Sequence, residues 1–338
     1  MIVTFRNSDD VVECLESLGK SKPDPSFDVY LCENGGDGAF ADLCARLSAP
    51  GGPCVRGPTD APCRTDGFTA VEVFTLRGVD RRVYVGNAGD NLGYGGGVNR
   101  WLGPLREAAD WPGALVLNPD TTVEADALGA LVRYAETHRK GMVTGRIALA
   151  RDPTRIHTRG LRWRRGLAGV AAVGRNEPTG SRPEGVEREL DAPSGSFVYV
   201  TRACLDKIGL MEERYFLYCE DLEWGLRAKG ADSIGYAFDS VVYHKGGTTI
   251  GSGSVTKASE LATYLGFRNR LLFVYSYFPG WLAWTTIMSF VRALEIGVRG
   301  RRANMREALR GTFDGLRGRD GRPDDVLNRH LAKRRNIP

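Results

Sequence analysis

Histidine is scarce in this sequence, with 4 among 338 residues. None stands in an HExxH pattern or a Cys/His cluster, so a zinc site is not expected. The cysteines, 7 in all, are odd in number and no two have CxxC spacing. No cationic, apolar leader precedes the first strand-like stretch, Ile2–Phe5, so reduced thiols in a cytosolic protein are the expectation, a Cys54–Cys63 loop disulfide being the only pairing considered. There is no internal repeat and no usable dinucleotide fingerprint. In Asn91-Leu-Gly93-Tyr-Gly95-Gly96-Gly97-Val-Asn99 the third glycine of GxGxxG would fall at Val98 or at Arg100. A Walker A loop fails as well, because Cys14 stands where the glycine leading to Gly19-Lys20-Ser21 should be. Hydrophobic residues make up 42% and charged residues 26%, which excludes disorder, collagen and a multi-span membrane protein and suffices for a core.

Charge is nearly balanced, 46 basic against 41 acidic, for a net +5, but it is unevenly placed. Residues 299–338 hold 12 Lys/Arg and 5 Asp/Glu, a local +7 that leaves −2 for the rest. A nucleic-acid binder would carry its basic stripe through the folded domain, so nucleic acid is not an expected partner. The tail reads either as a solvated, partly disordered segment or as one that meets anionic lipid or an anionic acceptor. Before it, Leu271–Val291 is free of charge but is broken by Pro279-Gly280. After the break Trp284, Ile287, Met288, Val291, Leu294 and Val298 form one helical stripe, with Thr285, Ser289, Arg292 and Arg299 on the other side. Packing on the chain or in a homodimer, lying in a membrane interface, and spanning a membrane are the three readings of this stripe.

The first half alternates strand and helix. Strands are expected at Ile2–Phe5, Asp28–Cys32, Arg82–Val85 and Ala114–Leu117, and helices at 9–18, 39–47, 96–109 and 125–137. Residues 48–68, rich in Gly, Pro and Thr, read as a surface loop, and 151–190 as a loop-rich excursion. Later strands are expected at Phe197–Thr201 and Ile234–Tyr243, with a short acidic helix over Cys219–Lys229. Alternating βαβα units predict an α/β fold with a mostly parallel sheet. Ligands bind such sheets beyond the strands' carboxyl ends, where Glu33, Asn91–Asn99 and Asn118–Asp120 all fall. The glycine turn suits a phosphate-facing helix N-terminus or simply a tight turn. Asp120 suits Mg²⁺ or Mn²⁺ on a substrate phosphate, or a helix cap. Glu220-Asp221 suits a general base for an acceptor hydroxyl, or a helix N-terminus complementing its dipole.

Taken in order, these motifs resemble the inverting glycosyltransferases of family 2, and most of all their rhamnosyltransferase-like branch. The resemblance runs through Ile2-Val-Thr-Phe-Arg-Asn7, Glu33-Asn34-Gly35, Asn91–Asn99, Leu117-Asn-Pro-Asp-Thr121 and Ser194-Gly-Ser-Phe197. It continues in Phe216-Leu-Tyr-Cys-Glu-Asp-Leu-Glu223 with Arg227, Tyr243-His244, Phe267-Arg-Asn-Arg270 and Gly311–Gly321. It implies a GT-A fold, two abutting Rossmann-like halves with a C-terminal helical extension. The catalytic domain would span 1–250, with a nucleotide-sugar half over 1–123 and an acceptor half over 124–250, followed by a basic helical region over 255–338 that meets membrane or a second copy. It implies an enzyme that moves a sugar, first rhamnose from dTDP-rhamnose with UDP-linked donors as the other choice, to a hydroxyl of a saccharide or lipid-linked acceptor. The setting would be bacterial cell-surface polysaccharide or glycolipid synthesis, in the cytoplasm or on the inner face of the membrane. Thr4, Arg6 and Glu33 would hold base and ribose; Asn91, Gly93, Gly95, Asn99 and Asn118 would line the nucleotide side. Asp120 and His244 would bind Mg²⁺ or Mn²⁺. Asp221 would be the base, with Glu220 beside it and Tyr218, Glu223 and Trp224 toward the acceptor. Two residues depart from the family pattern: Glu33 replaces an aspartate, and Asn118 replaces the first acid of a DxD motif. The segment 48–81 is longer than the family's usual connection. The competing reading is a catalytically silent nucleotide-sugar binder or membrane-associated scaffold.

Overall fold

The first strand, β1 (Ile2–Thr4), is short because the chain turns sharply after Phe5, where Arg6 takes a left-handed backbone with φ 56°. A computed structural model describes residues 1–58, 60, 63–108, 111–231, 233–246 and 258–335. It divides into two units, each with its own packing. The first comprises Met1–Arg162, Ala172–Met211 and Asp221–Lys245; the second comprises Trp163–Ala171, Glu212–Glu220 and Gly246–Pro338.

In the first unit β1 is followed by α1 (Ser8–Leu18), β2 (Val29–Glu33), α2 (Asp37–Leu47), β3 (Cys54–Arg56), β4 (Ala70–Leu76) and β5 (Arg81–Asn87). α1 buries Val11, Cys14, Leu15 and Leu18, the spacing that sets one helix face against a sheet. β1, β2 and β5 pair in parallel, so that Thr4, Glu33 and Asn87 end level with one another. β4 and β3 then extend the sheet antiparallel, giving the order β1-β2-β5-β4-β3. This hairpin corrects the surface-loop reading of 48–68 and occupies the unassigned segment up to 81. The seven cysteines are all free, and the Cys54–Cys63 disulfide is not formed.

α3 (Gly93–Glu107) begins at the glycine turn itself, three residues before the expected start; Ala109 lies outside the described residues. β6 (Gly113–Leu117), β7 (Thr121–Val123), α4 (Ala127–His138), β8 (Met142–Leu149) and β9 (Asp152–Thr158) follow. The hairpin β10 (Leu161–Arg164) and β11 (Gly169–Ala172), α5 (Val186–Glu189), β12 (Phe197–Thr201), α6 (Arg202–Ile208), α7 (Glu220–Lys229) and β13 (Ile234–His244) continue the chain to residue 244. Strands β9, β10 and β11 correct the loop-rich reading of 151–190. The second sheet has the order β6-β12-β8-β13-β7, with β9 on β8. Only β8–β13 is parallel there, because β12 enters against both β6 and β8. The expected parallel pairing therefore holds for β1-β2-β5 and β8–β13, and the α/β fold is mixed elsewhere. The carboxyl ends of β6, β8 and β13 and the amino end of β12 share one edge. A 410 Å³ cavity lies at the other end, lined by Met1, Phe27, Leu115 and Tyr199 among others, and none of the candidate site residues lines it.

The second unit is helical: α8 (Glu260–Tyr277), α9 (Leu282–Val298), α10 (Arg302–Leu316) and α11 (Asp324–Arg335). α8 and α10 approach backbone to backbone. A methyl on Gly311 would lie 2.4 Å from the Tyr264 carbonyl oxygen, and one on Gly315 2.7 Å from that of Arg268. The basic tail is thus folded as helices through Arg335. Among the described residues no helix is long and apolar enough to cross a membrane.

Candidate active site

Two backbone turns at the carboxyl ends of β1 and β2 build the first part of the site. Glu33 is buried, and its Oε1 accepts the Gly35 N–H at 2.6 Å and the Arg6 N–H at 3.2 Å, while Oε2 accepts the Thr4 hydroxyl at 3.0 Å. Burial pushes its carboxyl above the usual glutamate range, against the pull of those donors. Neighbouring Asn34 donates to the Gly93 carbonyl at 2.8 Å, tying the β2 end to the start of α3. Gly93 has φ 75°, and its N–H is accepted by the Asn91 side chain at 3.0 Å. A side chain is excluded at Gly97, where a methyl would come within 2.6 Å of Val3. Glycine here brings the α3 N-terminus close to β1.

The second part sits after β6, where β7 pairs with the end of β13. Asp120 and His244 are buried, with Asp120 Oδ1 3.0 Å from His244 Nε2. Asn118 lies 3.4 Å from the same nitrogen through its side-chain amide. His244 Nδ1 is 2.9 Å from Nδ1 of His157, a distance that needs one shared proton, so one of the two nitrogens must be unprotonated. Burial, with His244 facing it, holds the His157 ring down at about 4. Among the described residues no three or more His, Cys, Asp or Glu are grouped to hold a metal by themselves.

The loop Ser194-Gly195-Ser196 joins this part to the third. Ser196 accepts the Asn118 N–H through its carbonyl at 3.0 Å. Gly195 accepts the Tyr94 hydroxyl at 2.6 Å and donates its N–H to Asp221 Oδ2 at 3.0 Å. Asp221 Oδ1 accepts the Leu222 N–H at 2.8 Å. Burial raises the Asp221 carboxyl above the usual aspartate range, the backbone donors opposing it. A chain of contacts therefore runs from Glu33 and Asn34 through Gly93, Tyr94 and Gly195 to Asp221, within the first unit.

Three expected site residues lie elsewhere. Asn99 spends its amide on the backbone of Met211, donating at 2.8 Å and accepting at 3.1 Å. Glu223 is buried against Arg227 at 2.8 Å, and Trp224 is a core residue whose indole N–H reaches the Gly209 carbonyl at 2.9 Å. On α7 these two point inward because the helix must bury one face. Glu220 is buried, and Tyr218 sits in the second unit with φ 71°.

No family model matches the chain. An N-acetylglucosaminyl-diphospho-decaprenol L-rhamnosyltransferase of Mycobacterium tuberculosis is 30% identical over 247 residues, which cover 65% of this chain and 77% of that protein. The chain belongs to the rhamnosyltransferase-like glycosyltransferases. The low-salt glycan biosynthesis hexosyltransferase Agl10 of Haloferax volcanii is 23% identical over 260 residues, 70% of this chain and 77% of that protein. Among solved structures, S. aureus TarS 1–349 in complex with UDP-GlcNAc superposes with a TM-score of 0.51 at 13% identity, over 96% of this chain and 81% of that one. The mannosyltransferase PcManGT of Pyrobaculum calidifontis, in complex with GDP-Man and Mn²⁺, gives 0.50 at 10% identity, over 93% of this chain and 85% of that one. These likenesses establish the GT-A fold, and the silent-scaffold reading is not favoured. Two residues that the structure brings to this glycosyltransferase's candidate site, Tyr94 and His157, are not expected there from the sequence. Tyr94 was visible only as a member of the glycine turn. His157 lies in the segment read as loop, and only the pairing of β9 with β8 brings it to His244.

Proposed function

We propose that this glycosyltransferase moves a deoxyhexose, rhamnose from dTDP-rhamnose first, onto a hydroxyl of a saccharide carried on a lipid diphosphate, with inversion. The observation that carries the proposal is that Asp120–His244 and Asp221 are linked through one loop, Ser194–Ser196, at one edge of the sheet. The activity named for the 30% identical relative supplies the choice of sugar and acceptor. We read residues 1–123 as the nucleotide-sugar half and 124–250 as the acceptor half. Thr4, Arg6 and Glu33 face the base and ribose in this reading, and Asn91 with the Gly93–Gly97 turn faces the diphosphate.

The donor set suits a hard divalent cation completed by substrate. One carboxylate oxygen and one imidazole nitrogen, 3.0 Å apart and buried, are too few for a closed site and enough for Mg²⁺ or Mn²⁺ that takes the remaining ligands from a diphosphate. Such a cation, when bound, neutralises the leaving nucleoside diphosphate. For His244 Nε2 to serve, its lone pair must be free, so its proton belongs on Nδ1, facing the neutral His157 ring. Asp221 then takes the proton of the acceptor hydroxyl as the hydroxyl oxygen attacks the anomeric carbon on the face opposite the leaving group. Its two backbone hydrogen bonds fix the carboxylate's direction, and its raised affinity for a proton makes it a better base than a solvated aspartate. Asn99, Glu223 and Trp224 have structural roles here. The test is a transfer screen over dTDP-rhamnose, UDP-glucose and UDP-GlcNAc with Mg²⁺ or Mn²⁺ and a short-chain prenyl diphosphate saccharide as acceptor. Rhamnose transfer with inverted anomeric configuration supports the reading; exclusive use of a UDP-sugar, or retention, overturns it.

A further inference from the structure

α9 is an amphipathic helix with its faces reversed. Thr285 and Ser289 are fully buried beside Ala293 and Ile296, whereas Ile287, Leu294 and Val298 are 54%, 60% and 89% exposed. The buried hydroxyl of Ser289 bonds within the helix, to the Thr285 carbonyl at 2.8 Å. On an ordinary surface helix the apolar stripe faces the core and the polar stripe faces solvent. Trp281 and Trp284 stand at one end of the exposed stripe. The segment at 166–169 is bonded to the same helix, its Gly166 carbonyl accepting the Trp284 indole N–H at 3.0 Å and its Ala168 carbonyl accepting from Arg292 at 3.0 Å. That segment carries its own exposed leucine, Leu167 at 60%. On α10, Phe313 is exposed and packs edge-on against Phe290 of α9.

We propose that this face of the second unit lies in the interface of an anionic membrane. Charge decides between a lipid surface and a second copy. Residues 281–320 contain eight arginines (292, 299, 301, 302, 306, 310, 317 and 319) and four acids (Glu295, Glu307, Asp314 and Asp320), a net +4. Arg299, Arg302, Arg306 and Arg317 are exposed, and of the acids on α9 and α10 only Glu295 is. Two copies meeting through α9 would bring like-charged rims together; an anionic bilayer meets the same rim with opposite charge. The stripe also widens through Leu167 and Phe313, beyond the narrow seam a helix pair buries. Tryptophan at the edge of an apolar face with arginine around it is the composition that headgroups and acyl chains solvate together. Since no described helix is long and apolar enough to cross, the face lies along the membrane. The inference rests on the second unit alone and goes beyond the proposed activity, although it suits a lipid-linked acceptor.

The test is flotation of the full chain with vesicles of phosphatidylcholine containing one-third phosphatidylglycerol, at low and at high salt. The expected result is binding at low salt that weakens at high salt. Ile287→Gln with Leu294→Gln, both exposed, should cut the partition coefficient at least about 10-fold. Arg299→Gln, Arg302→Gln and Arg306→Gln together should cut low-salt binding by on the order of 10²-fold. Absence of flotation, or flotation untouched by the Ile287/Leu294 pair, overturns the inference. So does a dimer by light scattering that the same pair converts to monomer, which would assign the face to a second copy. Calorimetry with dTDP on the same variants separates this from the proposed activity: vesicle binding without dTDP binding upholds the membrane face and sinks the donor assignment, and the reverse sinks only the membrane face.

Discussion

Replacing Asp221 by asparagine changes one oxygen to an amide nitrogen, and the two backbone donors around it set the cost. Both carboxylate oxygens accept backbone N–H groups, Oδ2 from Gly195 at 3.0 Å and Oδ1 from Leu222 at 2.8 Å. Asparagine can keep only one of these bonds, and its NH₂ must then face an N–H donor. Losing one net hydrogen bond costs about 0.5–1.5 kcal/mol, and leaving a buried donor unsatisfied adds about 1–3 kcal/mol. An opposing gain exists. A carboxyl whose folded pKa is raised contributes stability below its unfolded pKa and loses it as pH rises through the folded value, so at neutral pH the ionised aspartate is itself unfavourable. Asparagine carries no charge and avoids that loss. The net expectation is a fold weakened by no more than about 2 kcal/mol at pH 7, with dTDP affinity within about threefold of the parent. Loss of the base should lower kcat by at least about 10²-fold, or about 2.7 kcal/mol of transition-state stabilisation. Steady-state transfer assays, calorimetry and thermal unfolding on the one variant measure all three. If Asp221 only capped α7, asparagine, itself a good cap, would leave turnover nearly intact. Retention of more than about a third of kcat would refute the reasoning.

The parent enzyme's kcat/KM should lose activity on acidification at a pH above the usual aspartate value of 3.8, because the base must be ionised and burial raises its pKa; a pH–rate profile with its acidic limb at or below that value contradicts this. Asp120→Ala should abolish Mn²⁺-dependent binding of dTDP, read by calorimetry with and without the cation, while circular dichroism is unchanged. Gly195→Ala puts a methyl 3.0 Å from Asp221 Cβ and 3.2 Å from its Oδ2, so the carboxylate must shift by a few tenths of an ångström. About a tenfold fall in kcat at nearly constant donor affinity is expected, and a fall in donor affinity alone would contradict the placement. Asn269→Asp removes the amide protons that Asn269 gives to the carbonyls of Tyr215, Leu217 and Tyr218 at 2.9, 2.8 and 2.9 Å. It should lower stability by about 1–3 kcal/mol in denaturant titration.

Much of the candidate site's placement was legible because its residues follow strands. The carboxyl ends of β1, β2 and β6 could be read from short apolar runs, and these place Glu33, Asn118 and Asp120. What escaped was set by long-range pairing. β3 is three residues in a stretch dominated by Gly and Pro, and only its ladder with β4, Cys54 opposite Leu76, makes it a strand. His157 needed the β8–β9 register to find His244. The acids of α7 show the limit of a motif. Asp221, Glu223 and Trp224 are near neighbours in sequence, but a turn of about 100° per residue sends Trp224 into the core and pairs Glu223 with Arg227. For α9 the periodicity gave the stripe correctly and left its direction open, since a helix with polar and apolar faces looks the same whichever face the rest of the unit covers.

The three carbonyls gathered by Asn269 belong to a segment that the chain makes some fifty residues earlier, |i−j| being 54 for Tyr215. That segment holds Phe216, Tyr218 and Cys219 at φ 63°, 71° and 77°, conformations that non-glycine residues leave unless something holds them, at about 1–3 kcal/mol each. Arg268 holds the same turn through the Tyr215 carbonyl at 3.0 Å. During synthesis, then, the bonds that Arg268 and Asn269 give to the turn leading into Glu220 form only once α8 has emerged. The segment 212–220 and α8 are consequently one folding unit, although more than thirty residues separate them in the chain. A chain stopped at residue 250 would keep the left-handed residues Phe216, Tyr218 and Cys219 and lose Arg268 and Asn269, the side chains that bond to their turn, so the second unit is closed by residues far apart in translation.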